Sequence, residues 1–196
     1  MEIITCLVGL SGTGKTTVAH TLEKQYGYNV IKSYTTRPPR SANEYGHTFV
    51  DIDMLNVLNA SDLKDEIIAY SRYGTQHYWV LRAQYKNKKH SIFIVDTRGV
   101  KMLLEAKNKF KFKVNIIYLT LDTAERLRRV KQELAVTNMS ELTQKQIDEL
   151  ANERVLRELD QYICVKCDYI IYNKSSDTTA LLINDILMTM NENNVK

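Results

Sequence analysis

GLSGTGKTT, residues Gly9 to Thr17, follows directly on the apolar run Ile3-Ile4-Thr5-Cys6-Leu7-Val8. Its spacing, Gly9-x4-Gly14-Lys15-Thr16, is that of a phosphate-binding loop. Glycines let backbone N–H groups turn inward around a β-phosphate, and the helix after the loop adds the positive end of its dipole. Lys15 can bridge the β- and γ-phosphates of ATP, and the Thr16 hydroxyl can ligate Mg²⁺. Ser11, Gly12, Thr13 and Thr17 complete the loop as further ATP-binding candidates. The context such a loop needs is present in the sequence. The apolar run reads as a buried strand ended by glycine, and Val18, Ala19 and Leu22 fall at helical spacing within Thr16 to Tyr26.

The rest of the chain repeats that rhythm. Ser91 to Asp96, Val114 to Leu119 and Asp168 to Asn173 read as further buried strands. Helical patterns run over Val100 to Lys109, Thr123 to Leu134, Gln144 to Leu159 and Thr178 to Asn191. Strands alternating with helices predict an α/β fold with a parallel sheet, its ligands at the carboxyl ends of the strands. Residues 33–85 break the alternation. They are rich in Tyr and Arg, carry both prolines, and show short alternating runs such as His47 to Asp51. The expected organisation is a core of residues 1–32 and 86–196, with 33–85 as an inserted lobe. The basic stretch Lys86 to His90 reads as a solvated turn.

Composition narrows the function classes. A chain of 196 residues, 44% hydrophobic and 26% charged, is long enough to bury a proper core. Its net charge of +4 suits small anionic ligands and does not demand nucleic acid. No stretch approaches a membrane span, and the start has neither a basic n-region nor a small-residue cleavage site. Three cysteines do not make a disulfide framework, and Cys164 and Cys167 lack the second ligand pair that a zinc site would need. The expectation is a cytoplasmic monomer or homodimer that binds small-molecule nucleotides, with no nucleic-acid or membrane partner. A switch GTPase would carry Asn-Lys-x-Asp, but Asn173-Lys174-Ser175-Ser176 lacks the Asp. A motor ATPase would end a strand in paired acids, and Asp96 ends its strand alone.

A second motif points to the acceptor. In Ser33-Tyr34-Thr35-Thr36-Arg37-Pro38-Pro39-Arg40, two arginines three apart are stiffened by two prolines. They form a fork suited to a doubly charged phosphate, with Ser33 and the threonines as neutral donors. Together the two motifs resemble the guanylate kinase family, which pairs such a loop with a later Ser-x-Thr-Thr-Arg-x-x-Arg. Glu44, Gly46, Phe49 and Val50 keep the outline of that family's next segment. The resemblance covers essentially the whole chain, closely to Arg40 and loosely beyond.

The resemblance implies a P-loop NTPase core with an inserted monophosphate-binding lobe and a helical lid over about residues 126–157. It implies ATP with Mg²⁺ as phosphoryl donor, and GMP or dGMP as acceptor. Ser33, Arg37 and Arg40 would hold the acceptor's phosphate. His47 stands where the family has a phosphate-holding tyrosine, and Asp96 matches an acid placed between the two nucleotides. Asn173 matches a position that approaches adenine. Lid arginines come from Arg126, Arg128 and Arg129 at one end and Arg154 and Arg157 at the other. Arg129 and Arg154 are the catalytic candidates, beside Lys15 and Arg37. No general base is required, because the acceptor is already a phosphate oxyanion.

The departures fall in the acceptor pocket. The family's guanine-reading glutamate precedes a Tyr-Gly-Thr. Matching Tyr73-Gly74-Thr75 directly makes Glu66 the nearest carboxylate. Matching Tyr78 instead, with Trp79 in the glycine position and Arg82-Ala83-Gln84 continuing, puts Ala69 in the glutamate's place. The second alignment is favoured and names Tyr70 and Tyr78 as acceptor-binding. Arg98 stands where a glutamine is common. Two other readings stay open: a kinase of this fold acting on a different nucleoside monophosphate or a sugar phosphate, and a non-catalytic binding module. Retention of Lys15 and Thr16 weighs against the module.

Overall fold

The structure is a computed structural model that describes residues 1–42, 44–61, 65–137, 142–160 and 166–192. The chain begins with β1 (Glu2–Val8), α1 (Lys15–Tyr26), β2 (Asn29–Ile31), β3 (Ser33–Thr35) and β4 (His47–Phe49). It continues through α2 (Ile52–Ala60), β5 (Ile67–Tyr73), β6 (Gln76–Leu81), β7 (His90–Ile94) and α3 (Thr97–Phe110). It ends with β8 (Phe112–Thr120), α4 (Thr123–Thr137), α5 (Gln144–Asp160), β9 (Tyr169–Tyr172) and α6 (Ser176–Glu192).

β1 is buried from Ile3 to Val8 with no polar alternation, as a strand covered on both faces must be. The strand order β2-β7-β1-β8-β9 makes a five-stranded sheet. The pairings of β2 and β1 with β7, and of β8 with β9, are parallel. This is the α/β fold with a helix-flanked parallel sheet that the alternation predicts. β2 was not legible in the sequence, because three residues are too few to show a period.

Contacts divide the chain into two compact units, Met1–Leu7 with Tyr28–Ile116, and Val8–Gly27 with Ile117–Lys196. The first unit holds a second sheet of order β4-β3-β6-β5. β5 and β6 form an antiparallel hairpin whose turn, Gly74-Thr75, uses a left-handed glycine at φ +60°. Trp79 of β6 anchors this sheet. It is 1% exposed, stacks on Tyr34 at 5.6 Å, and packs with Leu55 of α2 against Val50, Ile67, Tyr70 and Leu81. In the same unit α3 starts at Thr97, three residues before its apolar pattern. Asp96 supplies the N-cap by accepting from the Gly99 N–H at 2.7 Å.

In the second unit α4 and α5 pack together through Val130, Ala151 and Val155, with Leu127 and Leu134 alongside. Residues 126–137 and 144–157 lie in this helix pair, with Leu142 and Thr143 just ahead of α5, while residues 138–141 and Cys164 fall outside the described residues. The basic stretch splits in two. Lys86, Asn87, Lys88 and Lys89 are exposed, whereas His90 is buried and opens β7. Among the described residues, no helix is long and apolar enough to cross a membrane.

Candidate functional site

Between β1 and α1 the loop takes backbone conformations that side chains resist. Gly12 sits at φ +78°, and a Cβ there would lie 2.6 Å from the Arg126 carbonyl oxygen. Thr13 is buried and ties the loop to itself. Its hydroxyl donates to the Leu10 carbonyl at 2.7 Å, and its N–H donates to the same oxygen at 3.3 Å. Asn173, fully buried just past β9, donates its side-chain amide to the Thr13 carbonyl at 2.6 Å. The structure therefore places Asn173 as a brace under the loop, with its own N–H held by the Thr120 carbonyl at 2.8 Å.

Lys15 folds back along the loop, its Nζ donating to the carbonyls of Gly9 at 2.8 Å and Leu10 at 3.0 Å. Loss of water around the ammonium pushes its pKa down to about 8. Glu158 pulls it up, and Arg154 and Arg126 press it further down. Thr16 and Thr17 are exposed on the first turn of α1, a turn without acidic residues. A desolvated ammonium beside a helix N-terminus is built to receive an anion.

The arginines of the second unit differ in placement. Arg126, 2% exposed, donates from Nε to the Ser11 carbonyl at 2.9 Å and pairs through Nη2 with Glu158 Oε2 at 3.2 Å. Arg154 donates from Nε to the Ser11 hydroxyl at 3.1 Å and pairs with Glu133 at 3.2 Å. Arg129 pairs with Glu125 at 2.9 Å and donates to the Lys174 carbonyl at 3.2 Å. Arg128 is exposed and shares Glu125. The side chain of Arg157 lies outside the described residues. Of the α4 arginines the sequence reading favours Arg129, while in the structure Arg126 and Val130, four apart, form the buried face of α4. That reading also missed Glu158, which lies four residues after Arg154 on α5.

The first unit carries the other candidate residues. Arg37 is 7% exposed and forked onto Glu44, Nη2 to Oε1 at 2.6 Å and Nη1 to Oε2 at 3.2 Å. The Arg40 N–H donates to the same carboxylate at 2.6 Å, and Arg40 itself is exposed. Burial pushes the Glu44 carboxyl up, but hydrogen bonds from Arg37 and the Arg40 backbone outweigh it and hold the group below its ordinary range. Arg37 Nε is buried with no hydrogen-bond partner among the described residues, a donor left over for a ligand.

Ser33, buried on β3, shares a 2.8 Å hydrogen bond with His47 Nδ1. Burial, with Arg37 as second cause, pushes His47 down, so the imidazole is neutral at pH 7. Tyr78 meets His47 edge-on at 5.7 Å and Tyr73 at 5.8 Å. The Tyr73 hydroxyl donates to the Asp96 carboxylate, and desolvation followed by Asp96 raises the phenol to about 12. The Arg98 guanidinium lies 5.9 Å from the Tyr73 ring centre. Tyr70 shares a 2.6 Å hydrogen bond with His77 Nδ1. Ser33, His47, Tyr78, Tyr73 and Asp96 thus form one linked series, and Tyr70 stands apart from it with His77.

The alignment problem at Glu66 and Ala69 takes a physical form here. Glu66 lies before β5, at the far end of that strand from the Tyr73-Gly74-Thr75 turn, about 20 Å along the chain at strand rise. Its carboxylate lies 3.7 Å from Arg82. Ala69 is buried opposite Val80. No carboxylate occurs in the sequence between Glu66 and Asp96.

Residues 5–138 match the family described as AAA domain. A guanylate kinase from Anaplasma phagocytophilum has a similar structure, with a TM-score of 0.60 at 21% identity. The match covers 96% of this chain and 86% of that one. The structure of APE1195 aligns with a TM-score of 0.52 at 15% identity, over 96% of each chain. No curated protein matches the sequence. Identities this low speak to the fold, a P-loop α/β sheet.

Proposed function

The chain belongs to the AAA domain family, and we propose that it is an ATP-dependent kinase that phosphorylates a nucleoside monophosphate, GMP or dGMP first among them. The observation that carries this reading is a buried, oriented arginine apart from the phosphate loop, which supports a second anion-binding position. Hydrolysis needs only the phosphate loop. Here Arg37 is buried, aligned by Glu44 and left with a spare donor, and Arg40 stands exposed beside it. A preorganised guanidinium fork suits a phosphate monoester.

In the proposed reaction an oxygen of the acceptor's phosphate attacks the γ-phosphorus of ATP. A new P–O bond forms as the bond to the β-phosphate bridging oxygen breaks, giving two diphosphates. Lys15 offsets charge on the β- and γ-phosphates, and Arg126 and Arg154 hold the Ser11 segment of the loop. The acceptor oxygen is already ionised, so no residue has to take its proton.

Mg²⁺ fits this site through the exposed Thr16 hydroxyl, a hard oxygen ligand at the helix start. The described residues offer no cluster of His, Cys, Asp or Glu to hold an ion by themselves, so its other ligands would be phosphates and water. When bound, the ion supplies charge neutralisation on the phosphate oxygens.

Lys15 gives the reading a pH signature. Without phosphate its ammonium loses its proton near pH 8, and a bound phosphate favours the charged form. ADP binding at about pH 8.5 is therefore expected to take up a proton, and affinity to fall as pH rises through that region. Calorimetry in two buffers of different ionisation enthalpy reads the uptake. The stability of the unliganded protein runs the other way. Burying the charged ammonium opposes folding below pH 8, and that penalty is relieved between about 8 and the ordinary lysine value.

One observation favours a second reading of the acceptor. Guanine presents two N–H donors on its pairing edge, and a site that reads them with a carboxylate discriminates strongly. The stretch between Glu66 and Asp96 has no carboxylate, and Asp96 is engaged by Tyr73 and Gly99. A kinase of this fold acting on another nucleoside monophosphate or a sugar phosphate would need none. A coupled ADP-release assay with Mg-ATP, testing GMP, dGMP, AMP, CMP, UMP, dTMP and a ribose phosphate side by side, decides between them. Turnover confined to GMP and dGMP supports the first reading. Turnover with the other acceptors alone transfers the proposal to the second.

A further inference from the structure

The phosphate loop holds a carboxylate of its own chain. Ser11 donates its backbone N–H to Glu158 Oε2 at 2.6 Å and its hydroxyl to Oε1. Two loop donors thus meet two oxygens of one anionic group, as they would meet two oxygens of a phosphate. Arg126 Nη2 closes on the same Oε2 at 3.2 Å, and Arg154, one turn earlier on α5, reaches the same Ser11 hydroxyl at 3.1 Å. Glu158 is also the strongest opposing charge acting on Lys15.

We propose that Glu158 is an internal competitor for phosphate, occupying donors of the loop when no nucleotide is bound and leaving them when one arrives. The inference rests on the reading of this loop as a nucleotide site. Two cations act on one half-buried carboxylate, Arg126 by direct pairing and Lys15 through its charge, while Arg154 competes for the Ser11 hydroxyl that the carboxylate holds. With the loop empty, Glu158 neutralises the buried Arg126, which would otherwise be an uncompensated charge. With a nucleotide bound, the phosphates bring the negative charge themselves. The carboxylate is then a like charge against them, competing for the Ser11 donors. Affinity is lowered by the share of molecules in which Glu158 holds the site. The contact therefore stabilises the empty protein and weakens the complex, a pattern that a purely structural ion pair would not produce.

The test is ADP binding by calorimetry, with no acceptor present, in wild type, Glu158→Gln and Glu158→Asp. Gln keeps the shape and loses the charge. Asp keeps a charge near Arg126 but is one methylene short of Ser11, so it serves if Gln fails to fold. Both variants are expected to tighten ADP binding, Gln by roughly tenfold. The unliganded Gln variant should melt earlier than wild type, and its melting temperature should rise more on adding ADP. Unchanged or weaker binding in the variants, with wild type binding normally, overturns the competitor role and leaves the nucleotide site standing. Failure of wild type to bind ADP overturns both.

Discussion

Lys15→Ala is expected to lower phosphoryl transfer by about 10³-fold, ~4 kcal/mol of transition-state stabilisation, with the fold intact. Among the described residues the ammonium's hydrogen bonds go to the Gly9 and Leu10 carbonyls, so its removal breaks no ion pair of the fold. It also removes a charge that the folded protein strips of water, so thermal stability should hold or rise. The loss should fall on kcat, with the acceptor KM unchanged, because the ammonium answers charge that moves during transfer. Steady-state kinetics with a melting curve on the same sample reads all three quantities. A loss of activity tracking a loss of folded protein would mean that Lys15 serves the fold instead.

Arg37→Ala has the second large effect, and it is double. The guanidinium is the main partner of Glu44, whose side chain is 15% exposed. Leaving that carboxylate buried and unpaired costs about 3–5 kcal/mol, enough to lower the melting temperature sharply. Acceptor KM is expected to rise by about 10- to 100-fold, since the spare Nε donor would make one charge-assisted hydrogen bond to the acceptor. Arg37→Lys should not restore it, because one ammonium cannot reproduce a planar fork. The double variant Arg37→Ala with Glu44→Gln separates the two roles. It should regain much of the stability while the acceptor KM stays high. Recovery of both would make Arg37 a structural residue alone.

Much of this architecture was readable because it obeys short-range rules. Ile3 to Val8 has no polar alternation, and Val18, Ala19 and Leu22 mark one helix face, so the strand, loop and helix around Lys15 needed no tertiary knowledge. Periodicity alone sets the start of α3 too late, because its apolar residues begin at Val100. The Asp96 cap, a local signal in Asp96-Thr97-Arg98-Gly99, carries the helix back to Thr97. β2 and α2 were hidden for different reasons: one is three residues long, and the other leaves Ile52, Met54 and Val57 exposed, which blurs its face.

Side-chain partnerships across long sequence separations were not readable at all. Glu158 meets Ser11 across 147 positions, Asn173 meets Thr13 across 160, and Tyr73 meets Asp96 across 23. Periodicity reports which face of an element is buried but not what it is buried against. Arg126 shows the limit well: its helix face could be read, but not the Ser11 carbonyl beneath it. The Arg37–Glu44 pair is the intermediate case. The fork was visible from its prolines, while the carboxylate that holds it was visible only as part of a resemblance.

In the proposed reaction the γ-phosphate is handed to another phosphate and is not released to water. Following ³¹P NMR of a mixture of Mg-ATP, GMP and the protein tests it most directly, because diphosphates and inorganic phosphate resonate apart. ATP and GMP are expected to disappear together, giving ADP and GDP in equal amounts with no growth of inorganic phosphate. Inorganic phosphate rising at the same rate with and without GMP would contradict the transfer and make the protein a hydrolase.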